Sequence, residues 1–278
     1  MRIEQGLTLI AYPCHHCAIG QTTCPILVFP DVTLFCFQMP LQIVESQRLY
    51  RQIAEQLRAL IQSGEFVAGE RLPAERDLAQ QLGVSRPTVR EALIALEVEG
   101  VIEVHTGSGI YVCEKRKPAR KKSYVNEDWG PLEVMSARLL IEAEIAGLAA
   151  IHATRQDMQN IAQALHQMKK EAASGQVPRH GDEAFHMAIA QACGNSVLID
   201  TLTRYWQARN GPLFQRLGEH FENAVSWGQA ITEHERIYQA IRERNSTAAK
   251  RAMQHHLKQA HKRYSASWRR APAHPSGF

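Results

Sequence analysis

The chain has 278 residues, of which 45% are hydrophobic and 22% charged, with a net charge of +4. This composition is typical of a folded globular protein and excludes a disordered, fibrous or collagen-like chain. The length exceeds that of one typical domain, and no apolar run is long enough to cross a bilayer, so we expect two domains, no membrane partner and a cytoplasmic location. The slight positive charge is compatible with a nucleic-acid partner but does not establish one.

Residues 1–38 show neither a sustained helical or strand period nor the pattern of a signal peptide. Four of the six cysteines lie here, and Cys14-His15-His16-Cys17 offers soft ligands for zinc. The second half of a paired C-x2-C framework is missing, however. We predict a disordered or non-native extension that precedes Met39, with a zinc site as the alternative.

Residues 39–113 carry the pattern of a small DNA-binding domain. Apolar residues recur at helical spacing over residues 49–61, which predicts a first helix. A second, shorter helix is predicted to begin at Pro73 and to end at Gly83. The two helices are the expected start of a helix-turn-helix.

A third helix and a β-hairpin follow. Ser85 is a good N-cap for the third helix, and Gly100 is its stop. Residues 101–112 then alternate apolar and polar side chains on both sides of the turn formers at 106–109, which predicts two short antiparallel strands. Helix, turn, helix and hairpin together predict a winged helix-turn-helix.

Polar and basic residues cluster at the N-terminal end of the third helix. They are Ser85, Arg86, Thr88 and Arg90, and this is the end of a recognition helix that enters the major groove. Arg86 and Arg90 lie one turn apart and can reach phosphates or guanine edges together. The alternative is a helix whose arginines are simply solvated.

The stretch LPAERDLAQQLGVSRPTVREALIALEVEG, followed by GSGIYV, closely resembles the winged helix-turn-helix of the GntR family of bacterial regulators. The resemblance implies that arginines contact operator DNA, that Ser85 and Thr88 contact phosphates or bases, and that the wing reaches the minor groove. The arginines so implied are Arg76, Arg86 and Arg90, and the wing residues are His105 and Gly107.

Residues 114–130 contain a run of lysines and arginines around Pro118 with little apolar content. This composition predicts a basic linker. The linker is either simply solvated or adds phosphate contacts beside the DNA-binding domain.

Residues 131–270 show helical periodicity with no clear strand pattern and predict an all-α bundle, followed by a disordered tail at 271–278. The predicted fold class is therefore mainly α, an N-terminal winged helix-turn-helix plus a C-terminal helical bundle. Arg138 lies on an apolar helix face, where it either binds an anion or pairs with Glu142 four residues later.

Four further polar side chains lie on apolar helical stripes. Asp182 and His186 are four residues apart, and His234 and His256 lie on two other stripes. Inward-facing histidines are either hydrogen-bonded core residues or ligands of a common site. The spacing leaves both interpretations open, because it does not give the distances between helices.

This half resembles the FCD ligand-binding domain of the FadR subfamily of the GntR family. The resemblance rests on R-x3-E, D-x3-F/H, E-H-x2-I-x2-A-I and A-M-x2-H-L, as they stand at residues 138–142, 182–186, 233–241 and 252–257. Metal-binding members use one aspartate and three histidines, which implies Asp182, His186, His234 and His256 as ligands. The implied cofactor is a divalent metal, zinc first with nickel or manganese as alternatives, and Arg138 is implied to hold an effector carboxylate.

These features predict a homodimeric transcription regulator that binds double-stranded operator DNA. Stretches such as VREALIALEVEG, GSGIYV and ATRQDM are similar to regulators of hexuronate or related sugar-acid catabolism. We therefore expect a repressor of a carbon-catabolism operon, released by a small carboxylate metabolite such as a sugar acid. The alternative is a metal-dependent hydrolase domain tethered to DNA, although the sequence contains no supporting nucleophile motif.

Overall fold

The computed structural model describes residues 48–114 and 129–265. Within these ranges the fold is mainly α, with ten helices and one two-stranded antiparallel sheet, as the sequence predicted. The predicted extension at 1–38, most of the predicted linker and the predicted tail at 271–278 lie outside the described residues. None of the described helices combines the length and apolarity needed to span a membrane.

The N-terminal part is a winged helix-turn-helix, which we call the head. Its elements are α1 (Leu49–Gln62), α2 (Glu75–Leu82), α3 (Arg86–Val98), β1 (Ile102–His105) and β2 (Gly109–Val112). The strands pair with Ile102 opposite Val112, so their apolar side chains share one buried face. Helix α2 begins two residues later than predicted, because its hydrogen-bond ladder starts at the Ala74 carbonyl.

The turn between α2 and α3 follows from local chemistry. Gly83 ends α2 with a φ of 65°, a left-handed conformation that glycine adopts without strain. The Ser85 hydroxyl then accepts a hydrogen bond from the Thr88 N–H at 3.3 Å and caps α3. The predicted cap and stop are both confirmed, and they set the angle at which α3 leaves the turn.

The C-terminal part is a bundle of seven described helices, which we call the sensor. They are α4 (Pro131–His152), α5 (Arg155–Ala173), α6 (Arg179–Ala192), α7 (Ser196–Arg209), α8 (Pro212–Phe221), α9 (Ala224–Arg242) and α10 (Ser246–Tyr264). Helix α4 packs against α6, α7, α9 and α10 and is buried along most of its length. Because α4 lies at the centre of the bundle, the inward-facing residues of these four helices lie close to it and to one another.

Helix α3 is buried on nearly every side between residues 89 and 97. The reason is that α3 packs on the head core with one face and on sensor helices with another. Two acidic residues mark this second face. Glu91 accepts a hydrogen bond from the Leu132 N–H at 2.6 Å, and Glu97 receives one from His220 at 2.7 Å.

Glu91 should make the stability of the protein depend on pH. Burial raises the pKa of Glu91 from 4.5 to about 7, and the nearby Glu133 carboxylate adds to this shift. A raised carboxyl pKa means that the folded state binds more protons between these two values, so stability falls as pH rises through that window. We expect Glu91→Gln to raise the free energy of unfolding at pH 8 by about 1 to 3 kcal/mol while leaving it nearly unchanged at pH 4.5.

Urea unfolding of the variant and the wild type at a series of pH values measures this difference. Glu65→Gln is the matched control, because Glu65 is exposed. A difference between Glu91→Gln and the wild type that is constant from pH 4.5 to pH 8 would contradict the prediction.

Candidate functional site

One aspartate and three histidines from three sensor helices meet in the interior of the bundle. Their donor atoms all lie within 4.8 Å of one another, and all of these side chains are buried. They are Asp182 and His186 from α6, His234 from α9 and His256 from α10. The structure therefore brings together the residues that the sequence placed on separate apolar stripes.

Local packing sets the start of α6 and with it the position of Asp182. A Cβ atom at Gly181 would lie 2.5 Å from backbone atoms of Met168, so only glycine allows α6 to approach α5 this closely. The Gly181 N–H is bound by the buried Glu171 carboxylate at 3.0 Å. Asp182 and His186 then project from one face of α6, because residues four apart lie above one another on a helix.

The donor atoms are spaced as ligands of a small cation would be. The His234 Nε2 lies 3.0 Å from the Asp182 Oδ1 and 3.2 Å from the His186 Nε2, and the latter lies 3.7 Å from the same oxygen. Tetrahedral nitrogen and oxygen ligands about 2.0 to 2.1 Å from zinc are separated by roughly 3.3 Å. A set of three nitrogens and one oxygen suits zinc and other borderline divalent ions.

The second ring nitrogen of each histidine faces an oxygen acceptor. The acceptors are the Glu142 carboxylate for His186, the Ala230 carbonyl for His234 at 2.6 Å and the Glu233 carboxylate for His256 at 2.8 Å. An acceptor at Nδ1 fixes the proton there and leaves Nε2 as a lone-pair donor. Such oriented pairs are the usual outer shell of a metal site, so the surroundings fit a bound cation as well as the donors do.

The electrostatics also favour the protonation states that bind metal. Burial lowers the pKa of His186 and holds that of His256 well below its usual value, so both rings stay neutral near pH 7. Burial alone would raise the pKa of Asp182, but the Arg209 guanidinium is the largest of the opposing effects, and together they keep the pKa well below its usual range. A neutral imidazole set with an ionised carboxylate is what a divalent cation requires.

A small, partly open cavity adjoins this cluster. Its volume is about 40 Å³, and Arg138, Asp182, Arg209 and His256 contribute to its wall. Arg138 and Arg209 lie on the ring of Trp206, with guanidinium carbons 4.4 Å and 4.6 Å from its centroid. Two cationic side chains therefore face one cavity beside the cluster.

Arg138 has a hydrogen-bonding capacity that the described residues do not satisfy. Its Nε pairs with Glu142, so the predicted ion pair is present, and both side chains are almost fully buried. Its Nη2, by contrast, is a buried donor without a hydrogen-bond partner among the described residues. Buried donors of charged groups rarely stay unpaired, so this atom can donate to an anion that binds beside Arg138.

The head presents a second, exposed concave surface. Arg76, Arg86, His105 and Gly107 all line it, on α2, α3 and the wing. The side chains of Arg76 and Arg86 are 78% and 47% exposed, and both can therefore reach a ligand as large as a DNA duplex. Ser85 and Thr88 lie at the N-terminus of α3, where the Ser85 hydroxyl caps the helix and bonds the Thr88 hydroxyl at 2.7 Å.

Arg90 differs from the other predicted DNA contacts, because it is only 1% exposed. Its guanidinium forms hydrogen bonds of 2.7 to 3.0 Å with the Glu75 carboxylate, which also pairs with Arg86 at 3.0 Å. Its Nη1 donates to the Tyr264 carbonyl at 3.0 Å. A DNA contact by Arg90 stays a prediction, and it requires this side chain to leave the position described here.

Two arginines in these sites escaped prediction from the sequence. Arg209 pairs with Asp182, but it comes from α7, and no local spacing relates these two residues. Arg71 lines the head surface and packs against Gly109, where an added Cβ atom would lie 2.5 Å from its Nε. Its position in the loop before α2 was the only available signal.

The chain matches known families over both parts. Residues 49–112 match "Bacterial regulatory proteins, gntR family", and residues 133–259 match the FCD domain. The Uxu operon transcriptional regulator of Escherichia coli (strain K12) is 38% identical over 78% of this chain and 87% of its own length. The Exu regulon transcriptional regulator of the same strain is 37% identical over 78% of this chain and 84% of its own length.

The solved structure described as "Streptococcus agalactiae GntR" is 28% identical, covers 77% of this chain and 99% of its own, and aligns with a TM-score of 0.41. The winged head and helical sensor define a transcription regulator that binds DNA, and the relatives are of the same class. The chain belongs to the GntR family of bacterial regulators, in the group that carries an FCD domain. Neither the family nor the relatives support the hydrolase alternative, and the protein is not an enzyme.

Proposed function

We propose that the protein is a cytoplasmic homodimer that represses a carbon-catabolism operon and leaves its operator when a small carboxylate metabolite binds to a metal in the sensor. A homodimer follows from the single recognition helix of each chain, which reads one half-site of a two-fold symmetric operator. A sugar acid is the class of effector we infer. The relatives named for the Uxu operon and the Exu regulon, together with the hexuronate-like motifs, support that inference.

One observation carries the sensor part of the proposal. Asp182 and His256 of the cluster line the same cavity as Arg138, whose Nη2 has no hydrogen-bond partner among the described residues. A bound divalent cation would be held by Asp182, His186, His234 and His256 and would supply a Lewis-acidic position for an effector oxygen. Arg138 would bind the effector carboxylate, because a guanidinium offers parallel donors that match a carboxylate.

Arg138→Lys tests this assignment, because it keeps the charge but loses the planar donor pair. We expect the affinity of the zinc-loaded protein for D-glucuronate or D-galacturonate to fall about 10- to 100-fold, the size of one lost charge-assisted hydrogen bond. Zinc affinity should change by less than about tenfold, since Arg138 is not a ligand. Calorimetric titration measures both affinities.

Arg242→Lys is the matched control, since Arg242 lies on the Tyr238 ring in another part of the sensor. Its affinity for the acid should equal that of the wild type. Arg138→Lys protein that binds the acid as tightly as the wild type would contradict the role of Arg138.

A further inference from the structure

Two residues that line the sensor cavity also contact the buried Arg90 of the head. Phe221, Glu222 and Tyr264 line the cavity beside the metal-ligand cluster. Phe221 and Tyr264 also contact Arg90, whose guanidinium carbon lies 5.4 Å from the Phe221 ring centroid and whose Nη1 donates to the Tyr264 carbonyl at 3.0 Å. The same two residues therefore face a ligand pocket and a residue of the recognition helix.

On the cavity side, a continuous chain of polar contacts leads to Tyr264. The Tyr264 hydroxyl donates to the Glu222 carboxylate, which also lies 3.9 Å from the Arg209 guanidinium. Arg209 in turn pairs with Asp182, a member of the metal-ligand cluster. An anion that binds Arg209, or a cation that binds Asp182, competes with the ion pair between these two residues. It therefore also affects the contacts of Arg209 with Glu222 and of Glu222 with Tyr264.

On the head side, the Tyr264 carbonyl is well suited to hold a guanidinium. Tyr264 is the last residue of α10, where carbonyl groups have no partner within the helix and carry partial negative charge. Arg90 supplies the missing donor while Glu75 neutralises its charge. In this position Arg90 is withheld from DNA, because its guanidinium is enclosed by Glu75, Phe221 and Tyr264.

We propose that Tyr264 is the positioning residue through which the contents of the sensor cavity control Arg90. Its side chain belongs to the cavity, and its carbonyl holds Arg90 away from DNA. A ligand that orders the cavity wall stabilises the contact of Arg90 with the Tyr264 carbonyl. Binding to DNA requires Arg90 to leave that contact, so the ligand and DNA favour different positions of the same arginine. By thermodynamic linkage, the ligand then lowers the affinity for DNA. That the ligand is a metal-bound carboxylate rests on the proposed function.

Tyr264→Phe tests the coupling, because it retains the ring and the backbone carbonyl and removes only the hydroxyl bond to Glu222. Zinc together with D-glucuronate should weaken operator binding by the wild type about tenfold or more, a usual size for coupling between two sites. In Tyr264→Phe this factor should fall below about threefold. Calorimetry gives the acid concentration that saturates each protein, and the release factors are compared at saturation, so a change in acid affinity does not by itself lower the factor in Tyr264→Phe.

Tyr238→Phe is the matched control, since Tyr238 packs beside Arg242 on α9, and it should retain the full release by zinc and acid. The operator used is one selected by the wild-type protein from random duplex DNA. Full release in Tyr264→Phe protein that still binds the acid would overturn the proposal.

A double-mutant cycle decides the same question without any effector. Arg209→Lys perturbs the contact chain at its cavity end while keeping the positive charge. We expect it to change the operator affinity of the ligand-free protein severalfold in the wild-type background and to have no further effect in Tyr264→Phe. Additive effects, including no effect of Arg209→Lys alone, would overturn the role of Tyr264. If the wild type binds no acid at all, the proposed effector fails while the cycle still decides the coupling.

Discussion

Replacing His256 with alanine should abolish the stabilisation of the protein by zinc. For the wild type, zinc at 100 times its dissociation constant should stabilise the folded state by about 2.7 kcal/mol. In a protein of this size that corresponds to a rise in Tm of about 5 to 10 °C. The variant loses one of four predicted ligands, so its zinc affinity should fall by at least about 100-fold and the Tm shift should disappear.

His255→Ala is the matched control, because the neighbouring His255 is exposed, about 100° around α10 from His256, and its loss should leave the zinc shift unchanged. His256→Gln keeps more of the side-chain volume and should lose the shift as the alanine variant does. Thermal unfolding with and without zinc, after removal of bound metal by a chelator, measures all these proteins. A full zinc shift in both His256 variants would exclude the cluster as the metal site.

Arg86→Ala should weaken operator binding more than any other single change on the exposed head surface. Arg86 is held at the start of the recognition helix by Glu75, and about half of its side chain remains exposed. Loss of a base or phosphate contact costs about 1 to 3 kcal/mol, so the dissociation constant should rise about 5- to 150-fold. If the contact is to a phosphate, the slope of log K against log salt concentration should also become shallower by about one for each Arg86 removed.

Arg251→Ala removes the same charge from an exposed position of the sensor and serves as the control. Fluorescence anisotropy of a labelled operator at several salt concentrations provides both the affinity and the slope. Equal affinities for Arg86→Ala, Arg251→Ala and wild type would show that the surface lined by Arg76, Arg86 and His105 is not the DNA-binding surface.

Local sequence signals predicted the head well. The Ser85 cap, the Gly83 stop and the alternation in the wing each act within a few residues, and the structure has each of them. The buried charges on α3 were not predictable in this way. Glu91 and Glu97 have the sequence context of a solvated helix face, and only the packing of α3 against the sensor buries them.

The sensor site was predictable in part. Helical periodicity placed Asp182, His186, His234 and His256 on inward faces, but their common location depends on helix packing that a period of 3.6 residues does not encode. The resemblance to the FCD domain supplied that missing step. Arg209 remained unpredicted, since it contacts Asp182 across 27 positions of sequence.

The two interpretations of Arg138 turned out to be compatible. A guanidinium has several donors, so it can pair with Glu142 through one nitrogen and keep another for a ligand. In the structure the Nε of Arg138 pairs with Glu142, and its Nη2 has no hydrogen-bond partner among the described residues. Periodicity alone could not have distinguished these uses, because it places a residue on a face without assigning its atoms.

One titration of the wild-type protein tests most directly whether a carboxylate at the metal site controls operator binding. Operator affinity is measured with zinc, with zinc plus D-glucuronate or D-galacturonate, and with the same acids after chelation. We expect the acid to weaken operator binding by at least about tenfold with zinc present and to have no effect after chelation. An operator affinity that is the same in all of these conditions would contradict the account.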